Sequence, residues 1–470
     1  MARIGLLTFT DGRDFVQRDT DPLVASAAAQ IAGRLRESGH EVFEASAAIT
    51  SNTSAVTESR ALAAWRPDLT IFDYPVWAFP HFSMLAAEAT RGPLLLFSNL
   101  DSRYPGMVGM LAAAGALDQI GRQYERAWGD IHDEGVLARV NQIARAAHAV
   151  SALKGQTFGR FGGRPMGMYT AVASTSDWMD QFGIDVEEID QWEIVRRAEA
   201  VTPSRAREGR EWLERLAHVH YDGDRLTPEL LERQIRAYYA MRELIDEWHL
   251  AFSGVKGQPE LTTHFCTMDV AEAFLNDPYD WEGPKPVHVC ATESDMDGAL
   301  TMQILHHLSG TPALFADVRH YHADRGVWDL CNSGEHATWF AARSDDPAEN
   351  LRRVHLFPSD FYFPAGGASV QHIAAPGTFT FARLTRKESR YRLQLLRGDL
   401  VSFGQAEDDA LARQSTYTWP HAFATFRATA GEFLGRFGAN HIHAVPGDYA
   451  EELRLVCRML DIDLDEIGPV

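Results

Sequence analysis

Ala291-Thr292-Glu293-Ser294-Asp295-Met296-Asp297-Gly298, continued by Phe315-Ala316-Asp317-Val318-Arg319, is the stretch on which the reading of this chain turns. The short apolar run Val287–Thr292 predicts a buried strand. Leu300, Ile304 and Leu308 recur at steps of four and predict a helix over Asp297–Leu308, and Ala313–Ala316 predicts the next strand. Strand, helix and strand in this order predict one β-α-β step of a parallel sheet, in which ligands gather beyond the carboxyl ends of the strands. Glu293 and Asp317, 24 positions apart, would each stand at such an end. Paired carboxylates joined by an imidazole form an oxygen-rich site suited to Mn²⁺ or Mg²⁺, which can polarise a substrate carbonyl or hydroxyl. Spacing alone leaves a second reading open, in which the two acids merely cap the helices after them.

Outward from this stretch, the first ~150 residues also alternate between strands and helices. Strands are predicted at Arg3–Phe9, His40–Ala45, Leu69–Phe72 and Pro93–Ser98, with helices over Pro22–Ser38 and Glu134–Leu153. A second α/β region has strands at Met166–Val172 and Asp185–Ile189 and a long amphipathic helix over Pro228–His249. Beyond it the pattern changes. Phe379–Leu384 and Arg390–Leu396 alternate in a period of two, as antiparallel strands do, and a last helix is predicted over Tyr449–Leu460.

The bulk numbers narrow the class. A chain of 470 residues is long enough for two or three domains. Its four cysteines, Cys266, Cys290, Cys331 and Cys457, are scattered with no Cys-x-x-Cys pair, which argues against a disulfide framework and a zinc ribbon. A net charge of −21 disfavours a sequence-independent grip on nucleic acid or on an anionic membrane. No apolar run approaches the ~20 residues of a membrane span, and the N-terminal run reads as a strand rather than a signal peptide, so a cytoplasmic protein is expected. The glycines of Gly159–Gly167 do not fit Gly-x-Gly-x-x-Gly before a helix, so neither a nicotinamide nor a flavin cofactor is expected.

Several motifs, in order along the chain, resemble the L-fucose isomerase family. They are Asp11-Gly12-Arg13, Gly162-Gly163-Arg164-Pro165-Met166-Gly167, the two segments around Glu293 and Asp317, and Leu308-Ser309-Gly310-Thr311. Asn332-Ser333-Gly334, Tyr391-Arg392-Leu393, Thr418-Trp419-Pro420 and Gly438-Ala439-Asn440-His441 continue the series. The resemblance implies two Rossmann-like parallel-sheet α/β domains followed by a C-terminal α+β domain with an antiparallel β-barrel. Applied to this chain, the boundaries are 1–155, 156–311 and 312–470. It implies a divalent metal, Mn²⁺ with Mg²⁺ or Co²⁺ as substitutes, held by Glu293, Asp317 and His441, the two acids doubling as proton-transfer groups. It also implies substrate contacts from Ser333, Trp419 and Asn440, and from Arg13 and Trp77 reaching a neighbouring subunit's site in a homohexamer or trimer.

The expected activity is therefore aldose–ketose isomerisation of a small sugar. Gly254-Val255-Lys256-Gly257-Gln258 departs from the family, with Lys256 where a neutral amide is expected beside Gln258. Lys256 is either a solvated bystander or a site for an anionic sugar such as sulfoquinovose. His443, on the same face as His441 if the segment is a strand, is the rival ligand. A non-catalytic sugar-binding protein and a zinc hydrolase using the same acids are the readings from other classes.

Overall fold

The computed structural model describes residues 1–333 and 336–469, so Gly334 of the Asn-Ser-Gly motif lies outside the described residues. Two compact units divide the chain. Met1–Ala152 and Glu451–Asp461 form the first, and Leu153–Ala450 with Ile462–Val470 form the second.

The first unit is built on five parallel strands. Glu41–Glu44, Arg3–Thr8, Leu69–Asp73, Leu94–Ser98 and Glu125–Trp128 lie side by side in that order. Leu69–Asp73 and Leu94–Ser98 are buried throughout, as strands covered on both faces must be. The helix expected from Pro22 begins earlier. Arg13, in extended conformation and bonded to Asp11, opens a helix over Asp14–Glu37 that carries Pro22 inside it. The helix Glu134–Leu153 has the expected bounds.

The second unit contains a parallel sheet in the order Cys290–Thr292, Phe252–Val255, Thr157–Phe161, Asp185–Ile189. One expected strand is absent. Residues 166–172 turn through Met166 and Gly167, both at positive φ, into a short 3-10 helix over Tyr169–Ala171, and the strand lies earlier at Thr157–Phe161. The helix Pro228–Glu247 shows why the long helices hold. Thr227 caps it by accepting from the Leu230 N–H, Pro228 fills its first turn, and Leu231, Ile235, Tyr238, Met241 and Leu244 line its buried face.

The second correction concerns Asp317. The strand expected to stop at Ala316 runs through Leu314–His322, because Val318 to His322 continue as a half-buried strand. It pairs antiparallel with Val327–Cys331 and with His441–Pro446, in a sheet separate from the one that holds Cys290–Thr292. Glu293 and Asp317 therefore do not end neighbouring strands of one parallel sheet. This third sheet is mixed and seven-stranded, in the order Gly377–Lys387, His441–Pro446, Leu314–His322, Val327–Cys331, His421–Phe426, Arg390–Leu400, Asp463–Glu466. Gly377–Lys387 also pairs with Arg390–Leu400. No helix among the described residues is long and apolar enough to cross a membrane. All four cysteines are buried.

Candidate active site

Cys290–Thr292 ends in a turn that ordinary side chains rarely adopt. Glu293 and Ser294 sit at φ +54° and +52°, a left-handed pair without a glycine, of the kind that costs about 1–3 kcal/mol per residue. The Ser294 N–H donates to the Val255 carbonyl at 3.0 Å and the Asp295 N–H to the Thr292 carbonyl at 3.1 Å, which fixes the turn. Gly254 on the neighbouring strand makes room for it, since a Cβ there would stand 3.1 Å from Ser294 Cα. Asp295 then caps the helix Met296–Ser309 by accepting from the Gly298 N–H at 2.9 Å. The turn projects Glu293 away from its own sheet.

His441 meets it there. In the antiparallel pairing of Leu314–His322 with His441–Pro446, Asp317 lies directly opposite His441. The wholly buried imidazole has Nε2 3.0 Å from Glu293 Oε2 and 3.5 Å from Asp317 Oδ1. Neither approach has the alignment of a hydrogen bond, so Nε2 is a buried polar atom without a hydrogen-bond partner, facing two carboxylates. On its other side Nδ1 is 2.6 Å from Asp295 Oδ2. Three side chains far apart in sequence thus converge.

The electrostatics follow from this crowding. Burial would push the His441 imidazole down, but the carboxylates of Asp295, Glu293 and Asp317 raise it to about 10. Burial raises the Asp317 carboxyl above its ordinary value, with the Glu293 charge adding to the rise; His441, Asn332 and Asn440 oppose it. Asp295 moves the other way: burial would raise it, yet the Arg383 guanidinium and His441 hold it below the usual carboxylate range. Glu272, on the helix Asp269–Asn276, is raised well above that range by burial and by the Asp269 and Glu293 charges. Among the described residues no group of three or more His, Cys, Asp or Glu side chains is placed, as it stands, to hold a metal ion. The donor set itself, two carboxylates and an imidazole nitrogen with no hydrogen bond, fits a hard divalent cation.

The other expected residues fall into three groups. Asn440 donates to Asp317 Oδ1 at 3.2 Å, and Asn332, the neighbour of Ser333, donates to Asp317 Oδ2 at 2.8 Å. Trp419 is buried against Phe363 and Cys331 with its indole N–H unpartnered, and the Arg319 guanidinium stands 5.7 Å from its ring. Lys256 and Gln258 follow the strand Phe252–Val255, which runs parallel to the strand that delivers Glu293. The Lys256 ammonium is occupied by Glu260 at 2.7 Å, which removes the observation that pointed to an anionic sugar. Lys256→Met is accordingly expected to change unfolding free energy by less than about 1 kcal/mol, the usual range for an ion pair with an exposed partner, as measured by urea denaturation. Arg13 and Trp77 belong to the first unit, after the strands Arg3–Thr8 and Leu69–Asp73, and Arg13 is clamped to Asp11 at 2.5 Å.

His443, the rival ligand, is turned to a different partner: Arg383 Nη1 donates to its Nε2 at 3.1 Å. Sequence reasoning missed three residues of this arrangement: Asp295, Asn332 and Arg383. The signal for Arg383 was an arginine inside the apolar run Phe379–Leu384, where a charge is buried only with a partner.

Comparisons with known proteins agree with the order of the motifs. Residues 1–155 match the L-fucose isomerase first N-terminal domain, residues 238–310 the second N-terminal domain, and residues 330–468 the C-terminal domain. The chain is 24% identical to an L-fucose isomerase of Klebsiella pneumoniae, covering 98% of this chain and 92% of that protein. It is 25% identical to one of Haemophilus influenzae, with 98% and 91% covered, and 24% identical to one of Escherichia coli, with 98% and 92% covered.

Proposed function

Because the chain belongs to the L-fucose isomerase family, we propose that it is an aldose–ketose isomerase whose proton transfers are carried by Glu293 and Asp317. The observation that carries this is the approach of both carboxylates to one unpartnered nitrogen of His441, at 3.0 and 3.5 Å. Exchange of an aldose for its 2-ketose moves one hydrogen between C1 and C2 of the open-chain sugar and one between O1 and O2. Two acids converging on one point suit this, one taking the carbon-bound proton while the other carries a proton between the oxygens.

The environment of Asp317 supports the assignment. Asn332 and Asn440 hold its two oxygens, and burial raises its carboxyl above its ordinary value, the direction that makes a carboxylate a better proton acceptor. Glu293 is held by the strained turn, so its carboxylate is aimed before substrate arrives. Glu293, Asp317 and His441 would hold the divalent ion, Mn²⁺, and a bound ion would stabilise negative charge developing on the substrate oxygens. Asn440 and Ser333 would take sugar hydroxyls, and Trp419 would offer an apolar face to sugar C–H groups.

The finer family expectations belong to the same proposal. The ring of pairings from Gly377–Lys387 through His441–Pro446, Leu314–His322, Val327–Cys331 and His421–Phe426 to Arg390–Leu400 and back supports a barrel. A cytoplasmic homo-oligomer, with Arg13 and Trp77 completing a neighbour's site, is the assembly it would use. The test is a panel of aldoses, including L-fucose and D-arabinose, incubated with the metal-stripped protein. Ketose formation is expected with Mn²⁺ and is expected to vanish with EDTA. Turnover that survives thorough chelation would contradict the metal, and no turnover on any aldose would favour a sugar-binding protein.

A further inference from the structure

We propose that Asp295, locked by Arg383, is the positioning residue that sets the tautomer of His441 and selects it over His443 as the metal-facing histidine. The inference rests on the reading of His441 as a ligand. Asp295, His441 and Arg383 are all buried, with side-chain exposures of 0%, 0% and 1%. Arg383 grips the carboxylate with both terminal nitrogens, Nη1 to Oδ2 at 2.6 Å and Nη2 to Oδ1 at 3.1 Å. Oδ1 also accepts from the Gly298 N–H at 2.9 Å. A carboxylate so held is an acceptor only, so its 2.6 Å contact with His441 requires the proton to sit on Nδ1. In the neutral imidazole the lone pair is then on Nε2, the atom that faces Glu293 and Asp317.

His443 lies two residues along the same strand and is equally buried. There the same guanidinium does the opposite, since Arg383 Nη1 donates to Nε2 and occupies its lone pair. Arg383 is itself fixed by donating to the Thr170 carbonyl at 3.1 Å. One arginine therefore orients the carboxylate that frees His441 and fills the nitrogen that would let His443 compete. Neither role needs contact with substrate, and a carboxylate behind a ligating histidine fixes its ring and raises its basicity.

Two measurements test this on the full-length protein. Mn²⁺ titration of the metal-stripped protein, read by the electron paramagnetic resonance of free Mn²⁺, is expected to show binding about 10- to 100-fold weaker in Asp295→Asn than in the parent. Equal affinity in an Asp295→Asn variant of parental circular dichroism would overturn the role of Asp295 while leaving the metal site standing. A parent that binds no divalent ion would instead overturn the proposed function and this inference with it. Should Asp295→Asn fail to fold, the unaltered protein decides by proton NMR with ¹⁵N-histidine. A far-downfield Nδ1–H resonance, absent from His441→Gln and retained when Mg²⁺ saturates the site, is expected; a proton found on Nε2 of His441 in the Mg²⁺-bound protein rejects the proposal.

Discussion

Glu293→Gln is expected to lower kcat for aldose–ketose exchange by at least about 10³-fold, with the fold intact. The substitution keeps the shape and the left-handed turn but removes the charge that faces His441 Nε2 at 3.0 Å. A positioned acid–base group alone contributes about 10²–10⁴-fold, and loss of an anionic donor from the proposed ion site adds to that. Ketose appearance in the presence of Mn²⁺ gives the rate, and circular dichroism with thermal melting checks the fold. Because the removed charge belongs to the reacting site rather than to a remote binding contact, kcat and kcat/KM should fall together. A variant that folds and retains a tenth of the parental kcat would remove Glu293 from the chemistry.

Arg383→Met should destabilise the second unit by about 3–5 kcal/mol, the largest stability effect expected from a single change outside the apolar core. The guanidinium is the buried cation paired with Asp295, and its loss leaves a carboxylate bonded to His441 and one helix N–H but without its main neutralising charge. Urea denaturation followed by tryptophan fluorescence measures it, since Trp178 packs in the same unit and donates to Tyr391. The double variant Arg383→Met/Asp295→Leu is expected to recover part of the loss, because removing both partners of a buried pair costs less than stranding one. A cost below about 1 kcal/mol for Arg383→Met would mean that the pair is not what holds this region together.

Local periodicity made much of the frame legible. The strand Leu69–Asp73 was expected to within one residue and Glu134–Leu153 at its observed bounds, because both are continuous patterns framed by polar breaks. Thr157–Phe161 escaped notice because Gly159 and Arg160 interrupt the apolar signal; Arg160 is buried there only by pairing with Glu188 at 3.0 Å. The strand of Asp317 runs beyond the apolar run that stops at Ala316 because residues 318–322 pair with the nearby strand Val327–Cys331, while residues 314–317 pair with His441–Pro446, more than a hundred positions away. The trio Glu293, Asp317 and His441 came from the ordered motifs rather than from spacing, which left the acids indistinguishable from helix caps. Asp295 and Arg383, 88 positions apart, were invisible for the same reason: nothing local records which buried charge answers which.

The last helix leaves a mark on how this chain is made. Residues 451–461 belong to the first unit, where Glu452 accepts from Arg145 at 2.5 Å and Glu125 from Arg458 at 2.8 Å, whereas Asp463–Glu466 returns to pair with Arg390–Leu400. A ribosome delivers residues 1–152 first, yet that unit must wait for residues 153–450 to emerge before its own helix arrives. Completion of the first unit is thereby deferred until most of the second has emerged, and a nascent chain stalled short of residue 451 carries a first unit whose Arg145 and Glu125 have still to meet these partners.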